Sequence, residues 1–328
     1  MNGKPVFSRP AKTVINFESH FKEKLLCDGL TFSLGDACTY SCAFCYVPDL
    51  IRKLRATPVM AGIEGRHEDI VVRRANGLAV LWDQLVDRNG RPKFKNPGDR
   101  RVIYASPLVD VAGNLLLAQE TIEACKIILE LTNWHIRLLS KSNLLPKVAE
   151  GLEGTEATKG TKGTARERVI YGVSTGTLDD GLARAFEAGT PLVSKRLASL
   201  YWLQDHGYRT FGMVCPSLPQ ADYPKFAREM ATAIRADRCE HVWAEVINLR
   251  GESFKRTINA LCDGGFNEEA EWLAEAGDCK WKWELYAKAT FLAHADVLAR
   301  GKLRFLQYVT PETRPWWTSK AWRGAVVL

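Results

Sequence analysis

The sequence lacks any long hydrophobic run: nowhere do apolar residues approach the roughly 18 consecutive positions that a membrane-spanning helix needs. No apolar stretch follows the basic residues of MNGKPVFSRPAK, as it would in a secretory signal peptide. A cytoplasmic protein with no membrane partner is therefore expected. Histidine is scarce, with six residues and no pair at zinc-ligand spacing, and the chain has no second CxxC pair. A structural zinc site, which takes four ligands and usually two such pairs, is excluded on those grounds. Without a route to an oxidising compartment, the nine cysteines read as reduced thiols or metal ligands and not as a disulfide framework. Nor is the composition that of a disordered chain: 46% of the 328 residues are apolar, enough for one large α/β domain with embellishments or for two modest domains.

What the sequence does have is unevenly placed. The net charge of +7 is concentrated between Ile51 and Arg101, where twelve Lys/Arg face six Asp/Glu. Such a segment suggests a polyanionic partner, DNA or another nucleic acid. Short apolar runs at Leu30–Gly35, Arg101–Ser106, His135–Ser140, Val169–Thr175, Tyr208–Val214 and His241–Ile247 read as strands. Helical periodicity separates them at Gln119–Leu131, Leu178–Phe186, Leu192–His206 and Tyr223–Ala236. Alternation of this kind predicts an α/β fold with a parallel sheet, and six units predict a partial (β/α)6 TIM-type barrel with its chemistry at the C-terminal strand ends. The barrel is expected over residues 1–255, with a basic insertion at about 51–100 that includes a helix near Gly77–Val86. The tract EGTEATKGTKGTARE, at about 151–167, has no apolar face and reads as a solvated surface loop. Residues 256–328 are expected to form a helical C-terminal extension, rich in tryptophan: six of the ten fall after residue 270.

Three cysteines fall within eight residues, Cys38, Cys42 and Cys45 of CTYSCAFC, after the first predicted strand. Three thiolates spaced C-x3-C-x2-C suit a [4Fe–4S] cluster in which one iron has no protein ligand, and an open coordination position implies catalysis. The small residues Ser41 and Ala43 let one loop wrap a single cluster. The other six cysteines are scattered, several on apolar faces where Cys packs as a small hydrophobe.

The motif CTYSCAFCY resembles the signature of the radical S-adenosylmethionine (SAM) enzymes, with Phe44 at the aromatic position before the last cysteine. The resemblance implies that SAM chelates the unique iron and is cleaved reductively to a 5′-deoxyadenosyl radical, which abstracts hydrogen from substrate. It also implies an electron donor such as flavodoxin or ferredoxin, and a partial barrel. RLLSKSNLL and the stretch from YGVSTGT to MVCPSLP are similar to the spore-photoproduct-lyase-like, "DNA repair photolyase" branch, over roughly Gly29 to Arg250. On matching positions, Cys38, Cys42 and Cys45 would bind the cluster. Asp110 and Ser106 would meet the SAM amino or ribose groups. Lys141 would face the SAM carboxylate, a solvated strand-end charge being the alternative. Ser174 would contact methionine or ribose, unless it only forms a turn. Asn248 and Arg250 would close the adenosine pocket, with a helix-capping ion pair as the alternative for Arg250. Tyr46 keeps the tyrosine that follows the last cluster cysteine, and with Asp110 it is a catalytic candidate. The chain departs from the lyases at Val111, where they carry the hydrogen-donor cysteine, which places thymine-dimer reversal in doubt.

Three functions stay open on the sequence. One is a radical SAM enzyme acting on a nucleobase, supported by the basic segment and by RPWWTSKAWRG, whose rings are suited to stacking on bases. Another is a radical SAM enzyme for a small molecule or peptide. A third is a non-catalytic iron–sulfur sensor.

Overall fold

The computed structural model describes residues 4–50, 62–63, 69–105, 107–153, 165–249 and 251–328. The chain divides into two compact units.

The first unit comprises Met1–Ser41, Val47–Gly172 and Trp202–Arg209. Its strands are β1 (Val6–Arg9), β2 (Ile15–Asn16), β3 (Leu30–Phe32), β4 (Gly35–Ala37), β5 (Val71–Arg74), β6 (Val102–Ala105), β7 (His135–Ser140) and the start of β8 (Val169–Ser174). Its helices are α1 (Gly77–Leu85), α2 (Leu115–Leu131), α3 (Leu145–Leu152) and the single turn α4 (Ala165–Arg168). The main strands lie in the order β2-β3-β6-β7-β8. β3, β6 and β7 pair in parallel, with Leu30 opposite Ile103 and Ile103 opposite Ile136. Their continuous apolar character follows from burial on both faces, the usual condition of a parallel sheet. α2 begins where the Asn114 side chain accepts from the Leu117 N–H at 2.9 Å, and its buried stripe includes Leu117, Thr121, Ala124, Cys125 and Ile128.

The predicted strand 30–35 is two strands in two sheets. After β3 the chain turns at Ser33–Leu34, whose carbonyls accept from the Arg74 side chain (3.0 Å) and backbone (2.9 Å). β4 then joins a small sheet of order β1-β5-β4. Asp36, fully buried, fixes this switch through Arg9 Nε at 2.7 Å and Arg74 Nη2 at 2.8 Å. Gly35 is required there, because a Cβ would lie 2.6 Å from the Val72 carbonyl oxygen.

The second unit comprises Cys42–Tyr46, Val173–Tyr201 and Thr210–Leu328. After the end of β8 come α5 (Asp180–Phe186), α6 (Val193–Asp205), β9 (Arg209–Ser217), α7 (Tyr223–Ala233), β10 (Val242–Val246), α8 (Ser253–Asp263), α9 (Asn267–Gly277), α10 (Lys280–Val297), β11 (Leu303–Gln307), α11 (Arg314–Ser319) and β12 (Ala325–Val327). Strand order is β8-β9-β10-β11-β12, with β9 to β12 parallel. Gly176, just past β8, has no room for a side chain: a Cβ would sit 1.9 Å from the Pro216 carbonyl oxygen. Leu182, Phe186, Leu218, Ile247, Leu261, Ala270 and Leu273 form a core among α5, α8 and α9.

The six predicted strand–helix repeats are present, and the protein has an α/β fold of the partial radical SAM barrel type, not a closed barrel. Helices dominate the chain after residue 250, as predicted, and β11 and β12 add two further strands. No described helix is long and apolar enough to cross a membrane.

The tryptophans of the last segment have unlike surroundings. Trp317 is fully buried, donates Nε1–H to Glu284 Oε1 at 2.6 Å and packs on Phe291 and Phe305. Trp322 is 62% exposed.

Candidate active site

β4 leads directly into the cysteine loop. In the first unit, Lys4 Nζ donates to the Thr39 carbonyl at 2.8 Å and to Ser41 Oγ, and Thr39 Oγ1 donates to the Gly113 carbonyl at 3.2 Å. Ser41 adopts a left-handed backbone, φ +51°, at the turn between the first two cysteines. In the second unit, Cys45 N–H donates to the Cys42 carbonyl at 3.0 Å and Ala43 N–H to the Phe186 carbonyl at 2.8 Å. The Phe44 ring lies 5.7 Å from that of Phe186, and Ala43 and Phe44 pack on the core that contains Ile247. Arg256, on α8, donates Nε–H to the Ala43 carbonyl at 3.1 Å and Nη2–H to the Cys45 carbonyl at 2.6 Å.

None of the nine cysteines is in a disulfide. Cys38, Cys42 and Cys45 are partly buried, whereas Cys27, Cys125 and Cys239 are buried. Burial raises the Cys38 thiol above its ordinary pKa, reinforced by the Asp110 carboxylate and opposed by N–H groups of Tyr40 and Asp110. Burial alone holds the Cys125 thiol far higher, as suits a packing residue. Among the described residues, no three His, Cys, Asp or Glu side chains converge as they would around a single metal ion. A cluster makes a different demand, since each thiolate binds its own iron and the sulfurs stand apart. Three cysteines at C-x3-C-x2-C spacing on one short loop fit that donor set.

Asp110 follows β6 and is engaged on both oxygens. Oδ1 accepts from Ser140 Oγ (2.7 Å) and Ala112 N–H (2.9 Å), and Oδ2 accepts from Lys141 N–H (2.8 Å). Burial raises its pKa, against the lowering effect of those donors. The first unit thus brings together Cys38, Asp110 and the backbone of Lys141, whose side chain is half-buried. Val111 is buried, and its carbonyl accepts from Thr121 Oγ1 at 2.7 Å.

In the second unit Ser174 is buried at the end of β8, its hydroxyl donating to the Cys215 carbonyl at 3.4 Å. Its carbonyl accepts from Arg196 Nη1 at 3.4 Å, and Arg196 forms a fully buried ion pair with Glu187. Asn248 is half-buried just after β10. The strand end before it is pinned where Trp283 Nε1–H donates to the Ile247 carbonyl at 2.9 Å and Tyr286 OH accepts from Ile247 N–H at 3.4 Å. Tyr46 is 49% exposed. Ser106 and Arg250 lie outside the described residues.

Sequence reasoning missed Lys4, Arg196, Arg256, Trp283 and Tyr286. Only the Glu187–Arg196 pair had a local signal, two opposite charges nine residues apart around Gly-Thr-Pro. The basic segment is also less free than its composition suggests. Arg73 pairs with Glu120, Arg74 with Asp36, and Lys95 Nζ donates to the Glu130 carbonyl.

The cysteine loop follows a strand of an open, mainly parallel α/β sheet, with polar residues at the strand ends. In fold the structure is similar to spore photoproduct lyase. A variant of that enzyme with bound AdoMet and dinucleoside spore photoproduct aligns over 78% of this chain and 66% of its own, at TM-score 0.52 and 14% identity. The lyase complexed with dinucleoside spore photoproduct alone aligns over the same shares, with TM-score 0.52 and 14% identity. Streptococcus suis SuiB bound to S-adenosylmethionine covers 76% of this chain and 51% of its own at TM-score 0.40 and 12% identity, too distant to carry an argument. The chain therefore spans about two thirds of the lyase's length and shares its fold. No family model and no curated protein matches it.

Proposed function

We propose that this protein is a radical SAM enzyme, with Cys38, Cys42 and Cys45 holding a [4Fe–4S] cluster. The observation that carries this reading is the set of three cysteines at C-x3-C-x2-C spacing on a loop of the shared fold. When bound, the cluster with SAM supplies reductive cleavage to a 5′-deoxyadenosyl radical that abstracts hydrogen. The chain's own residues position and enclose. Phe44 seats the loop on the core, and Lys141 and Asn248, each half-buried after a strand of its own unit, are the SAM-binding candidates. Asp110, whose two oxygens accept from three donors, fixes the β6 and β7 ends.

The substrate we infer is a nucleobase in DNA or RNA, modified and not repaired by dimer reversal. The shared fold, seen in the lyase with a dinucleoside, supports it. So do exposed Arg88, Arg91, Lys93 and Arg100, and Trp322 with the Arg300 and Arg323 guanidinium carbons 5.6 and 5.9 Å from its ring. Val111, buried and without a thiol, argues against quenching by a cysteine at that position. A second reading, a small molecule or peptide substrate, draws support from the internal pairing of Arg73 and Arg74. The test is anaerobic reconstitution, reduction, and quantification of 5′-deoxyadenosine with and without oligonucleotides. Stimulation by DNA or RNA supports the first reading, and turnover indifferent to both supports the second. Reconstituted protein without iron, sulfide or 5′-deoxyadenosine defeats the enzyme reading.

A further inference from the structure

We infer that Arg256 is a positioning residue for the cluster loop and that its charge poises the cluster for reduction; this rests on Cys38, Cys42 and Cys45 being the ligands. Arg256 lies one turn into α8, more than 200 residues from the motif, and no spacing rule connects the two. Its guanidinium nevertheless spans the loop, binding the carbonyls of Ala43 and Cys45 on either side of Phe44. A planar fork bonded to two carbonyls fixes the planes of the peptides that follow residues 43 and 45. The Ala43 N–H is already held by the Phe186 carbonyl, so Ala43 is tethered on both sides. The neighbouring Cys42 and Cys45 are joined by their own 3.0 Å backbone bond. Four hydrogen bonds thus define the backbone from Cys42 to Cys45, and Arg256 supplies two of them. These are the residues that must present two of the three thiolates.

The second consequence is electrostatic. Cluster potentials respond to net charge and to local hydrogen bonding. Reduction adds one electron, and a permanent cation on the backbone that carries the ligands favours the reduced form. An ammonium in place of the guanidinium would keep the charge but lose the fork. A neutral amide would lose both the charge and most of the bidentate geometry.

The test compares anaerobically reconstituted wild-type protein, Arg256→Gln and Arg256→Lys by iron and sulfide analysis, EPR line shape, and an EPR-monitored redox titration, with circular dichroism to establish folding. In Arg256→Gln we expect at least threefold lower cluster occupancy. At any fixed potential we also expect a tenfold lower ratio of reduced to oxidised cluster, a shift of about 59 mV for one electron. Arg256→Lys should restore the potential while occupancy stays reduced. Wild-type occupancy together with wild-type potential in folded Arg256→Gln overturns the inference. So does a loss of occupancy at unchanged potential that Arg256→Lys fully rescues, because the fork would then be dispensable and the charge silent. If Arg256→Gln does not fold, Arg256→Lys decides: reduced occupancy with an altered line shape supports the fork, and identity with wild type overturns it. Wild-type protein that takes up no iron and sulfide would instead defeat the enzyme reading itself.

Discussion

The basic stretch before residue 101 and the tryptophan-rich tail look alike in sequence, since each concentrates side chains suited to nucleic acid. In the structure each splits into an inward and an outward set. Arg73 and Arg74 turn to Glu120 and Asp36, while Arg88, Arg91, Lys93 and Arg100 remain exposed around the turn after α1. Trp317 completes a core with Phe291 and Phe305, while Trp322 stands in solvent beside two guanidinium groups. The difference lies in what the fold puts within reach. A buried acid captures the nearest arginines, and a ring opposite two phenylalanines becomes core. Composition measures capacity for binding, and the tertiary neighbours decide how much of it is left over.

The largest effect that would break this division is the loss of the buried ring. Trp317→Ala should destabilise the protein by about 3–5 kcal/mol, as expected for a buried Trp replaced by Ala. Trp322→Ala should stay within about 0.5 kcal/mol, as for a surface change. Chemical denaturation measures both, and equal losses would erase the contrast.

The tail's interior should also show in the pH dependence of stability. Burial lowers the His294 pKa from 6.5 to about 4. Between those values the unfolded chain holds the proton more tightly than the folded one. The stability is therefore fully present above pH 6.5 and is lost as pH falls towards about 4. The drop should be about 3 kcal/mol at roughly 1.36 kcal/mol per pKa unit, and His294→Leu should flatten that window in a series of denaturant titrations.

In the basic stretch, Arg74→Ala leaves the buried Asp36 with Arg9 alone. A loss of about 2 kcal/mol is expected for a charged hydrogen-bonded contact. Arg88→Ala should be near neutral in the same assay. The smallest effect concerns binding. If the outward sets meet nucleic acid, replacing Arg88, Arg91, Lys93 and Arg100 should flatten the log–log salt dependence by roughly 0.7–0.9 for each phosphate no longer neutralised. Trp322→Ala should cost about 1 kcal/mol of affinity, the low end for base stacking, at unchanged slope. Fluorescence anisotropy over a salt series reads both. An unaltered slope in the fourfold variant would assign these cations to solvation.

The same logic explains what was legible in the sequence. The six strands announce themselves because strands of a parallel sheet are apolar on both faces. Helices such as Leu115–Leu131 carry a clear periodic stripe. β1, β2 and β5 were missed because they are two to four residues long, and β1 exposes two of its four residues. The cysteine motif was legible because it is a matter of local spacing. Arg256 and Lys4 were not, because each acts on backbone carbonyls, which every residue offers, across 35 to 213 positions of chain. Asp36 was readable in part: an acid between apolar strand residues and a cysteine motif demands a cation, though not which one.

Asp110 sets a rule for substitution at its own position. Its two oxygens receive one hydroxyl and two amide donors, and the two amide N–H groups can only donate. An asparagine would keep the shape and still fail, because one end of its amide must point an N–H at the N–H of Lys141 or of Ala112. Glutamate carries the right atoms on a stem one carbon too long. The site tolerates an acceptor and excludes a donor, so the isosteric amide, ordinarily the mildest probe of a carboxylate, becomes here a probe of the joint between two strand ends. Its damage should register in the packing of β6 against β7 before it registers in charge.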